Sequence, residues 1–261
     1  MLVDSHCHLP LIDDPEEGTD GVLRRAAEAG VSHMLCVGVD LETFDGVLAS
    51  AENALNVFAS VGVHPNTDQS ATEPTVDDLV SRADHSKIVA IGETGLDYFR
   101  SEGDLDWQRQ RFRTHIRAAH ECGKPLIIHC REAAEDLLQI MREENAQQAG
   151  GVMHCFVETW EVAEAAMEMG FYISLSGIVT FKNALELKRV AERVPLERLL
   201  VETDSPWLAP VPVRGKQNEP ANVVHTARYI ADLRGQSMDE ITAATSDNFF
   251  RLFPQAERQL V

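Results

Sequence analysis

Short apolar runs alternate with longer amphipathic stretches along the whole chain, and glycine, proline or polar clusters bound each run. Brief runs rich in Val, Ile, Leu and aromatics read as strands buried on both faces, the condition that a parallel sheet imposes. They stand at Leu2–His8, His33–Gly38, Val57–His64, Ile88–Glu93, Leu126–His129, Val152–Phe156, Phe171–Ser176 and Leu199–Glu202. Helical periodicity lies between them at Gly21–Ala29, Leu105–Cys122, Ala133–Asn145, Val162–Met169 and Ala184–Arg193, and two further helical stretches, Val223–Leu233 and Met238–Leu252, end the chain. Eight βα units in about 250 residues most simply close as a TIM (β/α)8 barrel, an α/β fold; a doubly wound open sheet is the alternative. No linker or break in composition interrupts the alternation, so residues 1–261 are expected to form a single domain.

A barrel carries its chemistry at the C-terminal ends of the strands. Those ends are unusually polar here: Asp4-Ser-His6-Cys-His8, then His64, Glu93, His129, His154 and Glu202-Thr-Asp204. Residues two apart on a strand share a face, so His6 and His8 project together and can chelate one cation. The same parity sends Cys7 toward the helices and makes Cys130 and Cys155 packing residues as well. A single histidine at a strand end is more often structural than a ligand, but the number of them changes the balance. His6, His8, His129 and His154 with Glu93 and Asp204 make a nitrogen and oxygen set suited to two divalent cations, whether Zn, Mg, Mn, Ni or similar. Glu93, with two oxygens, is the expected bridge between an ion held by His6, His8 and Asp204 and another held by His129 and His154. Such a pair lowers the pKa of water and clamps the oxygens of a phosphoester displacement. Asp204 and Glu93 are the candidate catalytic carboxylates, Asp204 as proton acceptor, with Glu202 orienting ligands or holding a weaker ion.

Charge bears on the substrate. With 23 Lys+Arg against 42 Asp+Glu the chain carries a formal −19, and protonating all ten histidines leaves −9. The overall field therefore repels polyanions, and a phosphate substrate needs a local positive source. His64 is a candidate phosphate contact, as are Arg214 and Lys216 in the loop after the last strand. Arg109, Arg113 and Arg117 recur on one helix, where a solvated face beside acids is a better reading than a nucleic-acid stripe. Trp207 is near enough to the rim to stack on a base, whereas Trp107 and Trp160 read as packing residues. The five cysteines, Cys7, Cys36, Cys122, Cys130 and Cys155, include no CxxC pair and read as reduced thiols. The absence of a long apolar run and of a basic leader makes the cytoplasm the expected location, with no membrane and no protein partner inferred.

The segments DSHCHL at Asp4–Leu9, GVHP ending at Pro65, GETGLDY at Gly92–Tyr98, HCRE at His129–Glu132, HCF at His154–Phe156, SGIVTFKN at Ser176–Asn183, ETDSPWLAP at Glu202–Pro210 and RGKQNEP at Arg214–Pro220 occur in that order. Together they resemble the TatD-type metal-dependent hydrolases of the amidohydrolase superfamily. The resemblance implies a TIM barrel, two divalent ions held by His6, His8, Glu93, His129, His154 and Asp204, and hydrolysis of DNA phosphodiesters, commonly by 3′→5′ exonuclease action on single strands or 3′ ends. Glu93 stands where other branches of that superfamily carry a bridging modified lysine. A hydrolase of small esters, amides or lactones, and a non-catalytic metal-binding barrel, are the competing readings.

Overall fold

The computed structural model describes residues 1–68 and 71–258. All eight apolar runs form parallel strands, hydrogen-bonded in chain order: β1 (Leu2–Cys7), β2 (Val31–Cys36), β3 (Val57–Val61), β4 (Ile88–Asp97), β5 (Leu126–Arg131), β6 (Gly151–Met153), β7 (Tyr172–Leu175) and β8 (Leu199–Val201). Neighbours in space are neighbours in sequence, which is the topology of a TIM barrel and excludes the doubly wound sheet. The helices are α1 (Gly18–Glu28), α2 (Phe44–Glu52), α3 (Val76–Ala83), α4 (Asp106–Cys122), α5 (Ala134–Glu143), α6 (Trp160–Glu168), α7 (Leu185–Arg193), α8 (Val223–Arg234) and α9 (Met238–Leu252). Helices α2 and α3, of nine and eight residues, offer little more than two turns of pattern and do not stand out in the sequence.

Between β1 and β8 the barrel closes by a few specific contacts instead of a regular ladder. The Asp204 amide donates to the His6 carbonyl and the His8 amide to the Ser205 carbonyl, both at 2.9 Å. The buried Asp4 carboxylate accepts from the Thr203 amide at 2.8 Å and the Thr203 hydroxyl at 2.6 Å. Burial pushes Asp4 up to about 8, against these donors. The seam thus fixes His6 and His8 beside Glu202 and Asp204, although some 200 residues separate them in the chain.

Two apolar regions hold the architecture. One fills the layer between strands and helices, with Cys7, Met34, Ile91, Phe112, Ile116 and Leu137 among its members. The other fills the lower barrel interior with Val3, Leu35, Phe58, Val89, Ile127 and Tyr172, and Phe249 and Phe253 around the end of α9 plug it from below. Each such fully buried side chain contributes roughly 1.5–3 kcal/mol. His33, near the start of β2, is a buried polar ring at this lower level, packed against Phe58 and Phe250, whereas His6, His8, Glu93, His129 and His154 stand toward the C-terminal ends of the strands.

Strand ends depart from the pattern in both directions. Strand β4 continues past Glu93 to Asp97 and β5 past His129 to Arg131, whereas β6 and β8 stop at Met153 and Val201. Because β6 ends early, the alternation of faces lapses: Cys155 adopts φ 41° and lines the mouth of the barrel instead of packing among helices. Cys130 belongs to the strand–helix core yet also reaches that mouth. Cys7 packs as its position in β1 implies. Gly95, at φ 137°, lies so close to β5 that a Cβ would stand 2.0 Å from the His129 carbonyl oxygen. Only glycine allows β4 that approach.

Candidate metal centre

Hydrogen bonds around the barrel mouth fix which nitrogen of each imidazole carries its proton, taking the rings as neutral. His8 Nδ1 donates to the Val37 carbonyl at 2.9 Å, so Nε2 carries the lone pair. His129 Nε2 lies 3.1 Å from Asp97 Oδ2, which leaves the lone pair on Nδ1. His154 Nδ1 lies 3.2 Å from Glu202 Oε1, which leaves it on Nε2. In all three rings the outer nitrogen is anchored and the lone pair points inward at acids. His129 Nδ1 and His154 Nε2 face Glu93 Oε1 at 3.1 and 2.8 Å, and His8 Nε2 faces Asp204 Oδ1 at 3.4 Å. His6 Nε2 faces His8 Nε2 at 3.1 Å. Lone pairs directed at carboxylate oxygens and at one another repel unless a proton or a metal cation lies between them. An acceptor behind each ring is the usual support of a metal-binding imidazole. The donor set therefore fits divalent cations.

Glu93 is the centre of the arrangement. Its Oε2 lies 3.5 Å from His6 Nε2 and 3.8 Å from His8 Nε2, while its Oε1 serves His129 and His154. One carboxylate thus faces two separate groups of nitrogens, one with each oxygen. Burial works against the charge on Glu93, but the surrounding imidazoles, His154 and His64 foremost, outweigh it and hold the carboxyl well below its usual range. His154 is held well above the ordinary histidine value, since Glu93 and Glu202 outweigh the cost of burial. Three groups have ligand atoms within 4.8 Å of one another: His6, His8 and Glu93; His6, His154 and Glu202; His64, Glu93 and His129. Among the described residues, His6 Nδ1 and Glu202 Oε2 are buried side-chain atoms without a hydrogen-bond partner.

His64 differs from the other rings. Its Nδ1 accepts from the Asn66 amide at 3.0 Å, so the proton sits on Nε2, which faces Glu93 Oε1 at 3.3 Å. It thus presents a donor to the cavity where its neighbours present lone pairs. Asp97 does not emerge from the strand-end reading, yet it accepts from His129, from the Asn66 side chain at 2.8 Å and from the Arg100 amide at 3.0 Å. Residues 93, 95 and 97 alternate onto one face of β4, so parity carried to the end of the GETGLDY segment would have found it.

The cavity above the cluster encloses about 690 Å³ and is lined by Glu93, His129, His154 and Asp204 at its floor and by His64, Arg100, Arg131 and Trp207 around them. Arg214 and Lys216 are exposed and do not line it; the Arg214 guanidinium stacks on Phe181 with its carbon 4.0 Å from the ring centroid. Trp207 is 51% exposed and meets His8 edge-on, with ring centroids 5.3 Å apart. Arg109 pairs with Asp136, and Arg113 and Arg117 with Glu144, so the helical arginines face the acids of α5 and its end. Trp107 and Trp160 stack under Arg111 and Arg193. No helix among the described residues is long and apolar enough to cross a membrane.

Comparison with known proteins agrees with this geometry. Residues 3–254 match the family described as TatD related DNase. The chain is 46% identical over 255 residues to the uncharacterized metal-dependent hydrolase YcfH of Escherichia coli K12, covering 97% of this chain and 96% of that one. It is 34% identical over 240 residues to the protein named 3′-5′ ssDNA/RNA exonuclease TatD of Erwinia tasmaniensis, covering 90% and 93%. Among solved structures, YJJV, a TatD homologue from Escherichia coli K12, superposes with a TM-score of 0.89 at 29% identity, covering 97% of this chain and 98% of that one. A barrel with this cluster at its mouth, matched to the family from residue 3 to residue 254, belongs to the TatD-related DNases, a family of metal-dependent hydrolases.

Proposed function

We propose that the protein is a divalent-metal-dependent phosphodiesterase that removes nucleotides from the 3′ ends of single-stranded DNA. The reading rests on one observation: the anchored rings of His129 and His154 direct their lone pairs at Glu93 Oε1, while His6 Nε2 and His8 Nε2 lie 3.5 and 3.8 Å from its Oε2, on the floor of an open cavity. His6, His8, Glu93 and Asp204 would hold one ion, and Glu93, His129 and His154 a second, of Zn, Mg, Mn, Ni or a similar metal. When bound, the pair supplies Lewis-acid charge opposite a phosphate and lowers the pKa of water.

The remaining steps fall to side chains of the chain itself. Asp204 lines the cavity beside His8 and is the carboxylate placed to take a proton from the attacking water. Glu202 acts one layer behind, accepting from His154 and from the Cys155 amide at 2.6 Å and so fixing the ring. His64 offers its Nε2 proton to a phosphate oxygen. Trp207 gives a base a face on which to stack. A nucleic-acid substrate is also supported by the printed name of the Erwinia tasmaniensis relative.

The test is release of nucleotides from end-labelled single-stranded DNA by protein loaded with Mg, Mn or Zn. Chelator-sensitive release is expected, and no turnover with any of the three removes the nuclease reading. Hydrolysis of a carboxylic ester or lactone panel in its place would establish the small-substrate alternative. Glu93→Ala should lose activity by at least about a thousandfold and lose bound metal with it, as removal of a group central to transition-state charge does. A metal-loaded, active variant would refute the bridging role.

A further inference from the structure

We propose that Arg131 and Arg100 form a phosphate subsite beside the metal centre, which takes the phosphate next to the one being cleaved; the inference rests on the nucleic-acid reading above. Both side chains line the same cavity as Glu93 and His129. Arg131 stands two residues after His129 on β5, so the two share a face of the strand. Among the described residues, nine of the eighteen arginines pair with a carboxylate within 4.0 Å, and the four on α4, Arg109, Arg111, Arg113 and Arg117, are all among them. Among the described residues, no carboxylate oxygen lies within 4.0 Å of the guanidinium of Arg100 or Arg131. The nearest candidate in the register, Asp97 opposite Arg131, is already engaged by His129, Asn66 and the Arg100 amide.

Arg131 is also held in place without being neutralised. Its guanidinium carbon lies 3.7 Å from the centroid of the Phe99 ring. Such stacking orients the planar group and leaves its N–H edge available for an anion. Phe99 itself is 54% exposed, so the pair stands at the rim with no other evident burden to carry. A cavity built for an isolated phosphodiester would be complete with the metal cluster and His64. Two further cations lining the same cavity on the β4–β5 side suit a second negative group, which a polymer of phosphodiesters supplies.

The experiment compares wild type with Arg131→Ala, Arg100→Ala, Phe99→Ala and Arg131→Lys on two substrates: a single-stranded oligodeoxynucleotide and bis(p-nitrophenyl) phosphate, which has one phosphate. A phosphorothioate oligonucleotide provides a binding readout as competitive inhibitor of the small diester. For Arg131→Ala, KM and Ki for the oligonucleotides should rise so that the loss exceeds that on the small diester by roughly tenfold, the worth of one charged hydrogen bond at a rim. The slope of log Ki against log salt should flatten by about 0.7 for each phosphate contact removed. Arg131→Lys should recover part of the loss, and Phe99→Ala should reproduce part of it. Equal losses on both substrates overturn the subsite, as does an oligonucleotide KM and Ki that none of the variants moves. Wild-type protein that hydrolyses the small diester but neither cleaves nor binds oligonucleotide refutes the nucleic-acid reading and the subsite together.

Discussion

At the scale of single residues, the centre depends as much on the groups behind the imidazoles as on the imidazoles themselves. His129 keeps its lone pair on Nδ1 because Asp97 accepts from Nε2 at 3.1 Å. His129 is accordingly held above its ordinary value: burial opposes the charge, and Asp97 and Glu93 overcome it. Asp97→Asn removes the charge while leaving an amide that can present its nitrogen to the ring and favour the wrong tautomer. Metal affinity should fall about 10–100-fold, with the fold intact, in a titration monitored by calorimetry. A variant that binds metal as the wild type does would mean that Asp97 serves only the Asn66 side chain and the Arg100 amide. Asp97 and Arg131 escape a reading of strand ends for the same reason: each lies on the face of its neighbouring ligand, beyond the point where the apolar run stops. The apolar signal ends before the strand does, and only the alternation of faces continues.

At the scale of elements, the strands are legible because both of their faces are buried, which leaves an apolar signature that loops cannot imitate. Their limits are less so. The apolar run of β4 stops at Glu93, whereas the strand goes on to Asp97, and Gly92 and Gly95 are the residues that let it pass close to its neighbour. The link between α4 and the segment after β3 is likewise invisible in sequence, since it joins groups 52 positions apart: the Val63 amide donates to His115 Nε2 at 2.9 Å, and His115 Nδ1 donates to the Arg111 carbonyl at 2.8 Å. Arg111 in turn donates to the His64 and Thr67 carbonyls, both at 2.9 Å, and so holds the loop that carries His64. Burial pushes His115 down to about 4, so the folded state keeps it neutral while the unfolded chain takes up a proton near the ordinary value of 6.5. Its stabilising contribution is present in full above pH 6.5 and is lost as pH falls toward 4, amounting to about 3 kcal/mol over that window. His115→Gln can keep an acceptor for Val63 without titrating. Urea denaturation of the two proteins between pH 7 and 4 should show a shallower loss for the variant; parallel curves would mean that His115 titrates normally.

At the scale of the whole molecule, charge couples the site to stability. The chain carries a formal −19, and the fold places Glu93, Asp97 and Glu202 in buried positions around one end of the barrel. Buried acids of one sign are tolerable when cations or protons compensate them, and the two imidazole groups facing Glu93 form a site for cations. A ligand that binds only the folded state at a hundred times its dissociation constant adds about 2.7 kcal/mol. For a domain of this size each kcal/mol moves the melting temperature by about 2 °C, so, with the two ions proposed above, metal removal should lower it by roughly 10 °C. The change should be read by calorimetry on protein treated with chelator and then resupplied with Mn or Zn, which should restore the original transition. Glu93→Gln separates this effect from general screening of the acidic surface, because added sodium chloride can relieve surface repulsion in both proteins whereas only the wild type should respond to micromolar metal. If chelation leaves the wild-type transition in place, the carboxylates are balanced by protons on the imidazoles and the barrel mouth is no metal centre.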